Sequence, residues 1–243
     1  MTTLQQRVDR LDAATFFGVP IAGFENGGRQ QLILLLMSGL EPTSKVVDLG
    51  CGILRAGYWL IHFLDSRCYH GIEPHTKRLE VGRDVILEPE ALQAKQPRFD
   101  TNANFDTSVF GVKFDFFLAY SIWTHAAKPQ IGTMLDNFVR DSAAEAVFLT
   151  SVLPAGWRGR DYRGETWYGT SHESEVSGCI QHSLRWIRRE CRRRGLHMRR
   201  VGRERDGQTW LHISRSSSKK LPFRTIWIEP LWTRLWRRLS KAA

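Results

Sequence analysis

The sequence predicts one α/β domain built on a mainly parallel sheet, with helices on both faces and a closing antiparallel pair of strands. Three observations carry this reading. Short apolar runs alternate with helical stretches through residue 150, the pattern of strands buried on both faces beneath crossover helices. The first of these runs ends in Asp48-Leu49-Gly50-Cys51-Gly52, a glycine-bearing turn from strand to helix where backbone can approach a ligand closely. After Gly195 two further β-type runs face each other across Asp206-Gly207, a hairpin signal.

In chain order, residues 30–40 are apolar enough for a buried helix, ended near Gly39 and Pro42. Residues 46–50 open on two β-branched side chains and close on glycine, as a short buried strand does. A helix over 55–65 offers Trp59, Leu60, Phe63 and Leu64 to the core. Residues 69–73 read as a second strand and 76–87 as a second helix, closed by Pro89. Strands follow over 98–104, 114–121 and 146–153, the last stopped by Pro154. A loop rich in Gly, Trp and Tyr over 155–170 leads to a long helix over 173–194. Its Val176, Ile180, Leu184, Ile187 and Cys191 recur every three or four positions. Strands over 196–201 and 209–214 close the sheet.

A chain of 243 residues has room for one such domain with additions. Residues 1–215 are assigned to it, with a helical N-terminal extension, and 216–243 to a basic amphipathic C-terminal segment. Hydrophobic residues at 42% and charged residues at 25% are globular values, which excludes disorder of the whole chain. The longest strongly apolar run, 32–37, is too short to cross a bilayer. The polar start lacks the design of a secretion signal, so a cytoplasmic location is expected. Cys51, Cys68, Cys179 and Cys191 are widely spaced, and reduced thiols are expected rather than a disulfide framework or a zinc site. Charge is uneven: residues 182–243 carry 18 Lys and Arg against 4 Asp and Glu, whereas 1–181 carry 17 against 21. Such an end either meets an anionic partner or is a set of solvated helix faces.

The first loop is the most informative stretch. A dinucleotide fingerprint needs a third small residue where this chain has Arg55, and it gives Asp48 no role. Glu73 lies 23 residues after Gly50, at the end of the next strand, where a carboxylate can accept from both hydroxyls of a ribose. Together Asp48, Gly50, Gly52 and Glu73 resemble the cofactor motifs of class I, Rossmann-like S-adenosylmethionine-dependent methyltransferases. More narrowly, Gly50 to Arg55 and Ser121 to His125 are similar to the G-C-G-x-L-R and S-[VI]-[FW]-T-H stretches of a group of bacterial methyltransferases. The resemblance runs over about residues 17–215, with Leu54 standing where the general family has a third glycine. It implies S-adenosylmethionine as cofactor, held by Asp48, Gly50, Cys51, Gly52, Arg55, Glu73, Asn104, Phe105, Asp106 and Ser121. Arg55 would pair with the cofactor's carboxylate, and Asn104 to Asp106 would meet adenine.

On the acceptor side, His125 is the best-placed base for a hydroxyl acceptor. Asp161, Tyr162, Trp167, Tyr168 and His172 could contact the acceptor, the rings suiting a sugar or a planar group. Glu173 fits a capping box with Thr170 better than catalysis. No catalytic metal is expected, since Asp136 is the only acid between Ser121 and Asn137. The expected reaction is methylation of a hydroxyl on a sugar or other small molecule. A nucleic-acid-directed methyltransferase and a non-catalytic cofactor-binding module stay open; absence of the N/D-P-P-Y/W motif weighs against the former. In the tail, Ile228, Leu231, Trp232, Leu235, Trp236 and Leu239 form an apolar stripe flanked by Arg and Lys. It fits an anionic membrane interface, the chain's own domain, or the second subunit of a homodimer.

Overall fold

The computed structural model describes residues 3–9, 11, 23–156, 161–169, 178–204 and 207–216. Strands β1 (Val46–Leu49), β2 (Tyr69–Ile72), β3 (Arg98–Asp100), β4 (Phe114–Ala119), β5 (Ser142–Val152), β6 (His197–Arg203) and β7 (Thr209–Ser214) form one sheet, in the order β3-β2-β1-β4-β5-β7-β6. β1 through β5 are parallel, and β7 runs antiparallel between β5 and β6. Helices α1 (Leu4–Asp9), α2 (Phe24–Met37), α3 (Gly57–Phe63), α4 (Thr76–Val81), α5 (Pro89–Lys95), α6 (Lys128–Asp141) and α7 (Leu184–Arg193) complete the described elements.

Side-chain alternation along the strands builds the two faces. Val47, Leu49, Phe117 and Phe148 join Ile131, Leu135 and Phe138 of α6 and Ile187 and Cys191 of α7 in one core. Val46, Phe116, Leu118 and Leu149 join Leu35 of α2, Leu60 of α3 and Leu79 of α4 in the other. Both faces of the sheet are thus covered, as the nearly unbroken apolar runs require. The strand order reverses between β1 and β4, so the crevice beyond their carboxyl ends is where a ligand fits.

Several elements differ from the sequence expectation. α2 begins at Phe24, six residues earlier, and contains Gly27 and Gly28. Gly28 serves close packing: a Cβ there would stand 2.1 Å from the Arg55 carbonyl oxygen and 2.6 Å from Trp59 Cδ1. The helix expected over 76–87 changes at Gly82 into a π-helical turn, Gly82–Ile86. Pro89 opens α5 rather than only closing what precedes it, because proline suits a first helical position. β3 ends at Asp100, where Asn102 turns the chain by donating to Asp100 Oδ1.

α6 was not anticipated, although Ile131, Met134, Leu135 and Phe138 have helical spacing and are buried. β5 starts at Ser142, four residues before its apolar run. The long helix over 173–194 is corrected to Leu184–Arg193, capped by the Ser183 side chain accepting from the Trp186 N–H. Residues 178–183 are not helical: Gly178 has φ of 116°, and Gln181 and His182 are bridged to Asp161 and Pro154, while 170–177 lie outside the described residues. Backbone hydrogen bonds to the preceding loop outcompete the helical period there.

Replacing Gly28 by alanine is expected to destabilise the chain by roughly 1–3 kcal/mol through the clash with Arg55. At an open helix position the same change would stabilise by about 1 kcal/mol. Urea unfolding measures the sign, and a stabilised variant would show that α2 can move away from α3.

Candidate cofactor and acceptor site

The loops leaving β1, β3 and β4 meet at one end of the sheet. Gly50 and Gly52 have φ of 72° and 56°, and Leu54, Phe105 and Ser121 in these loops have φ of 62°, 57° and 58°. Left-handed backbone at non-glycine residues carries strain, and such strain gathers at binding sites. The loops also touch: a Cβ on Gly50 would lie 2.1 Å from Ile122 Cδ1.

Glu73, at the end of β2, is 3% exposed. Its Oε2 accepts from the Gly52 N–H at 2.9 Å and its Oε1 from the His75 N–H at 2.9 Å. Glu73 is therefore a staple of the first loop as well as a ligand candidate, a role the sequence did not suggest. Gly50 and Cys51 donate their N–H groups to the Ile72 carbonyl at 2.8 and 3.1 Å. The loop's amides are thus turned onto the chain itself, with a carboxylate in the middle. That arrangement disfavours a diphosphate and favours a ligand carrying positive charge.

Asp48 lies beneath the loop, 3% exposed, with the Tyr69 hydroxyl donating to Oδ2 at 2.9 Å. Burial, opposed by that hydrogen bond and reinforced by Glu73, pushes its carboxyl up to about 7. Burial likewise raises the Cys51 thiol well above its ordinary value. Arg55 lies over the Tyr120 ring at 4.9 Å and alongside Gly27, and its charge acts on Asp48. Arg78 was not singled out from sequence, yet its Nε is buried without a hydrogen-bond partner among the described residues. Its charge acts on both Glu73 and His125.

The three residues expected to meet adenine divide. Asn104 is exposed at the loop tip. Phe105 is buried, stacks on Trp167 with centroids 6.2 Å apart, and its carbonyl accepts from Asn137 Nδ2 at 2.7 Å. Asp106 caps the following 3-10 turn by accepting from Ser108, pairs with Arg140, and gives its own N–H to Asn102 Oδ1. Its polar groups are thus spent on the turn, the role sequence statistics assign to aspartate there.

Ser121 donates its N–H to Ser151 Oγ at 2.7 Å, and its hydroxyl lies 3.1 Å from that of Thr124. The 121–127 turn is pinned by the chain that follows β5. Tyr168 N donates to the His125 carbonyl at 2.9 Å, Ile180 N to the Thr124 carbonyl at 2.8 Å, and His182 Nε2 lies 2.9 Å from the Ala126 carbonyl. His125 Nδ1 stands 2.9 Å from the Tyr168 carbonyl oxygen. A carbonyl only accepts, so this contact favours the tautomer with the proton on Nδ1 and the lone pair on Nε2, while the Gly178 carbonyl also acts on the ring. Burial lowers the imidazole's pKa, keeping it neutral at physiological pH. Trp167 stacks on it at 5.8 Å and 18°, and Nε2 lies 3.9 Å from the exposed Cys179 thiol. Of the other loop residues, Asp161 is tied to Lys128 Nζ and the Ser183 N–H, and Tyr162 donates to the Thr166 carbonyl. His172 lies outside the described residues. Among the described residues no three His, Cys, Asp or Glu side chains are grouped to hold a metal.

The folded chain holds a proton on Asp48 that the unfolded chain releases near pH 4, so this residue makes stability fall as pH rises from about 4 to 7. The lowered pKa values of His70, His125 and His182 act in the opposite direction. Comparison with Asp48→Asn isolates the aspartate: the variant should gain stability relative to the parent as pH rises, measured by urea unfolding at pH 5 and 8. An equal difference at both pH values would mean that Asp48 titrates normally.

No protein-family model matches the sequence, and no curated protein does. Among solved structures, the chain is similar to magnesium protoporphyrin IX methyltransferase (ChlM) from Synechocystis PCC 6803 with bound SAH, with a TM-score of 0.58 and 16% identity over 81% of this chain and 85% of that one. It is similar to the glycopeptide N-methyltransferase MtfA complexed with S-adenosyl-L-methionine, with a TM-score of 0.56 and 12% identity over 80% and 94% of the two chains. It is also similar to DesVI of Streptomyces venezuelae, with a TM-score of 0.58 and 12% identity over 80% and 92%. With its crevice at the β1–β4 reversal and its antiparallel β7, this chain has the class I S-adenosylmethionine-dependent methyltransferase fold.

Proposed function

We propose that the chain is an S-adenosylmethionine-dependent methyltransferase acting on a hydroxyl of a sugar or another small molecule. The observation that carries this reading is the acidic, amide-poor first loop. Asp48 and Glu73 are both buried there, and the loop N–H groups are already satisfied by Glu73 and Ile72. A cationic cofactor fits that electrostatic setting and a dinucleotide does not. The orphaned Nε of Arg78 fits as well, since a bound ligand's oxygen would satisfy it.

When bound, S-adenosylmethionine supplies an electrophilic methyl group. The residues proposed to hold it are Asp48, Gly50, Cys51, Gly52, Arg55, Glu73, Asn104, Phe105 and Ser121, with Arg78 added. Glu73 orients the ribose hydroxyls while stapling the loop. Phe105, braced by Asn137 and Trp167, forms an apolar wall. The acceptor hydroxyl is held beside His125, whose Nε2 lone pair takes its proton as the oxygen becomes methylated. The Tyr168 carbonyl favours the tautomer this requires. Trp167, stacked against both Phe105 and His125, braces the imidazole, and Tyr168 offers a ring face to the acceptor. The tail, 217–243, lies outside the described residues. Its stripe is proposed to rest on an anionic membrane surface or on a second copy of the chain, which co-sedimentation with anionic vesicles and the oligomeric state of a chain ending at Ser216 distinguish.

Calorimetry is expected to show binding of S-adenosylmethionine and its demethylated product and none of NAD. Comparable NAD affinity would overturn the assignment. Glu73→Gln should weaken cofactor binding by roughly 10-fold to 100-fold, as loss of a charged acceptor implies, and lower stability too because it holds Gly52 and His75. His125→Gln should leave cofactor affinity unchanged while turnover on a hydroxyl acceptor panel falls about 10²–10⁴-fold. In the parent, rate should fall with acid through a pKa below 6.5, and that limb should vanish in the variant.

A further inference from the structure

A cavity of about 890 Å³ lies apart from the cofactor crevice, on the α6–α7 side of the domain. It is lined by Lys128, Asp161, Ser183, Trp186 and the arginines Arg185, Arg188, Arg189 and Arg192. The arginines fall at i, i+3, i+4 and i+7 of α7, so they share one face over about 10 Å of helix. Like charges at these spacings repel one another and weaken a helix, and among the described residues only Glu190, 3.7 Å from Arg189, pairs with any of the four. Asp161, the acid in the lining, is committed to Lys128 at 2.8 Å and to the Ser183 N–H. Glu190 is bonded to Arg193 and Arg194, leaving Arg189 at 3.7 Å from it. The side chains of Arg185, Arg188 and Arg192 make no hydrogen bond or ion pair among the described residues.

We infer that this cavity is a binding site for a small organic diphosphate, gripped by Arg185, Arg188, Arg189 and Arg192 with Lys128 at one end. Guanidinium forks match phosphate oxygens two at a time, and four of them along 10 Å suit two linked phosphates. The hollow has the volume of a small-molecule site. A flat membrane surface would not enter it, and a polymer would need the cationic track to continue beyond it. Trp186, half-buried beside Lys128 at 5.4 Å, gives the hollow an apolar wall. Lys128 also opens α6, three residues after His125. On the methyltransferase reading above, on which this last step rests, the far end of the ligand extends toward His125 and the acceptor is diphosphate-linked.

The test is calorimetry of the full chain at low salt with inorganic pyrophosphate, uridine diphosphate, sulfate, a single-stranded oligonucleotide and anionic vesicles. One-to-one binding of pyrophosphate and uridine diphosphate is expected, weakened at least tenfold in Arg188→Gln/Arg192→Gln. Sulfate should bind at least tenfold more weakly than either. The variant's ligand-free thermal midpoint should equal or exceed the parent's, because repulsion is relieved. No diphosphate binding, equal binding by the variant or by sulfate, a lowered midpoint, or binding only of oligonucleotide or vesicles would each overturn the site. Titration with S-adenosylmethionine should be the same for parent and variant. Its failure in both would sink the methyltransferase reading and leave the diphosphate result standing.

Discussion

The carboxylate of Glu73 joins the carboxyl ends of the first two strands. One oxygen holds the Gly52 amide of the loop after β1, and the other holds the His75 amide before α4. With Gly50 and Cys51 bound to the Ile72 carbonyl, the first loop is closed on itself and presents negative charge at its centre. Asp48 adds a second buried carboxyl, steadied by Tyr69. Two acids kept from water are costly unless a cation or a proton compensates them. The raised Asp48 pKa is the proton's share of that compensation in the ligand-free chain. Positive charge placed beside these two carboxyls would lower that cost further.

The turn after β4 rests on a different kind of bond. The turn carrying His125 is held by main-chain contacts from Tyr168 and Ile180, and by the His182 ring against the Ala126 carbonyl. Because the amides and carbonyls at these places belong to any sequence, the geometry can persist while side chains change. That agrees with a shared fold at 12–16% identity. What side chains decide is the chemistry placed on the frame: the imidazole with its tautomer favoured by a carbonyl, the Trp167 ring beside it, and the arginine face of α7 beyond.

The α/β architecture, the strand positions and the Asp48–Glu73 pairing were legible in the sequence because each depends on local pattern: apolar runs, glycines at a turn, an acid at a strand end. So was the closing hairpin. Elements whose limits depend on distant contacts were not. Gly28 looks like an interruption until Arg55 and Trp59 pack against it, and Gln181 and His182 fall within a helical apolar period until bridges to Asp161 and Pro154 take them out of it. α6 carries a helical stripe, Ile131, Met134, Leu135 and Phe138, opened by Pro129 in its first turn.

For the site, the sequence offered a resemblance to methyltransferase motifs in the loops after β1, β2, β3 and β4, and placed His125 just beyond the fourth strand. Only the tertiary structure decided that Glu73 is also a staple, that Asp106 caps a turn, that the Arg78 Nε is buried without a partner among the described residues, and that four arginines line one hollow. The physical reason is that hydrogen bonding and burial are set by neighbours far apart in sequence. A residue's type states what it can do, and its partners settle which of those capacities remains free.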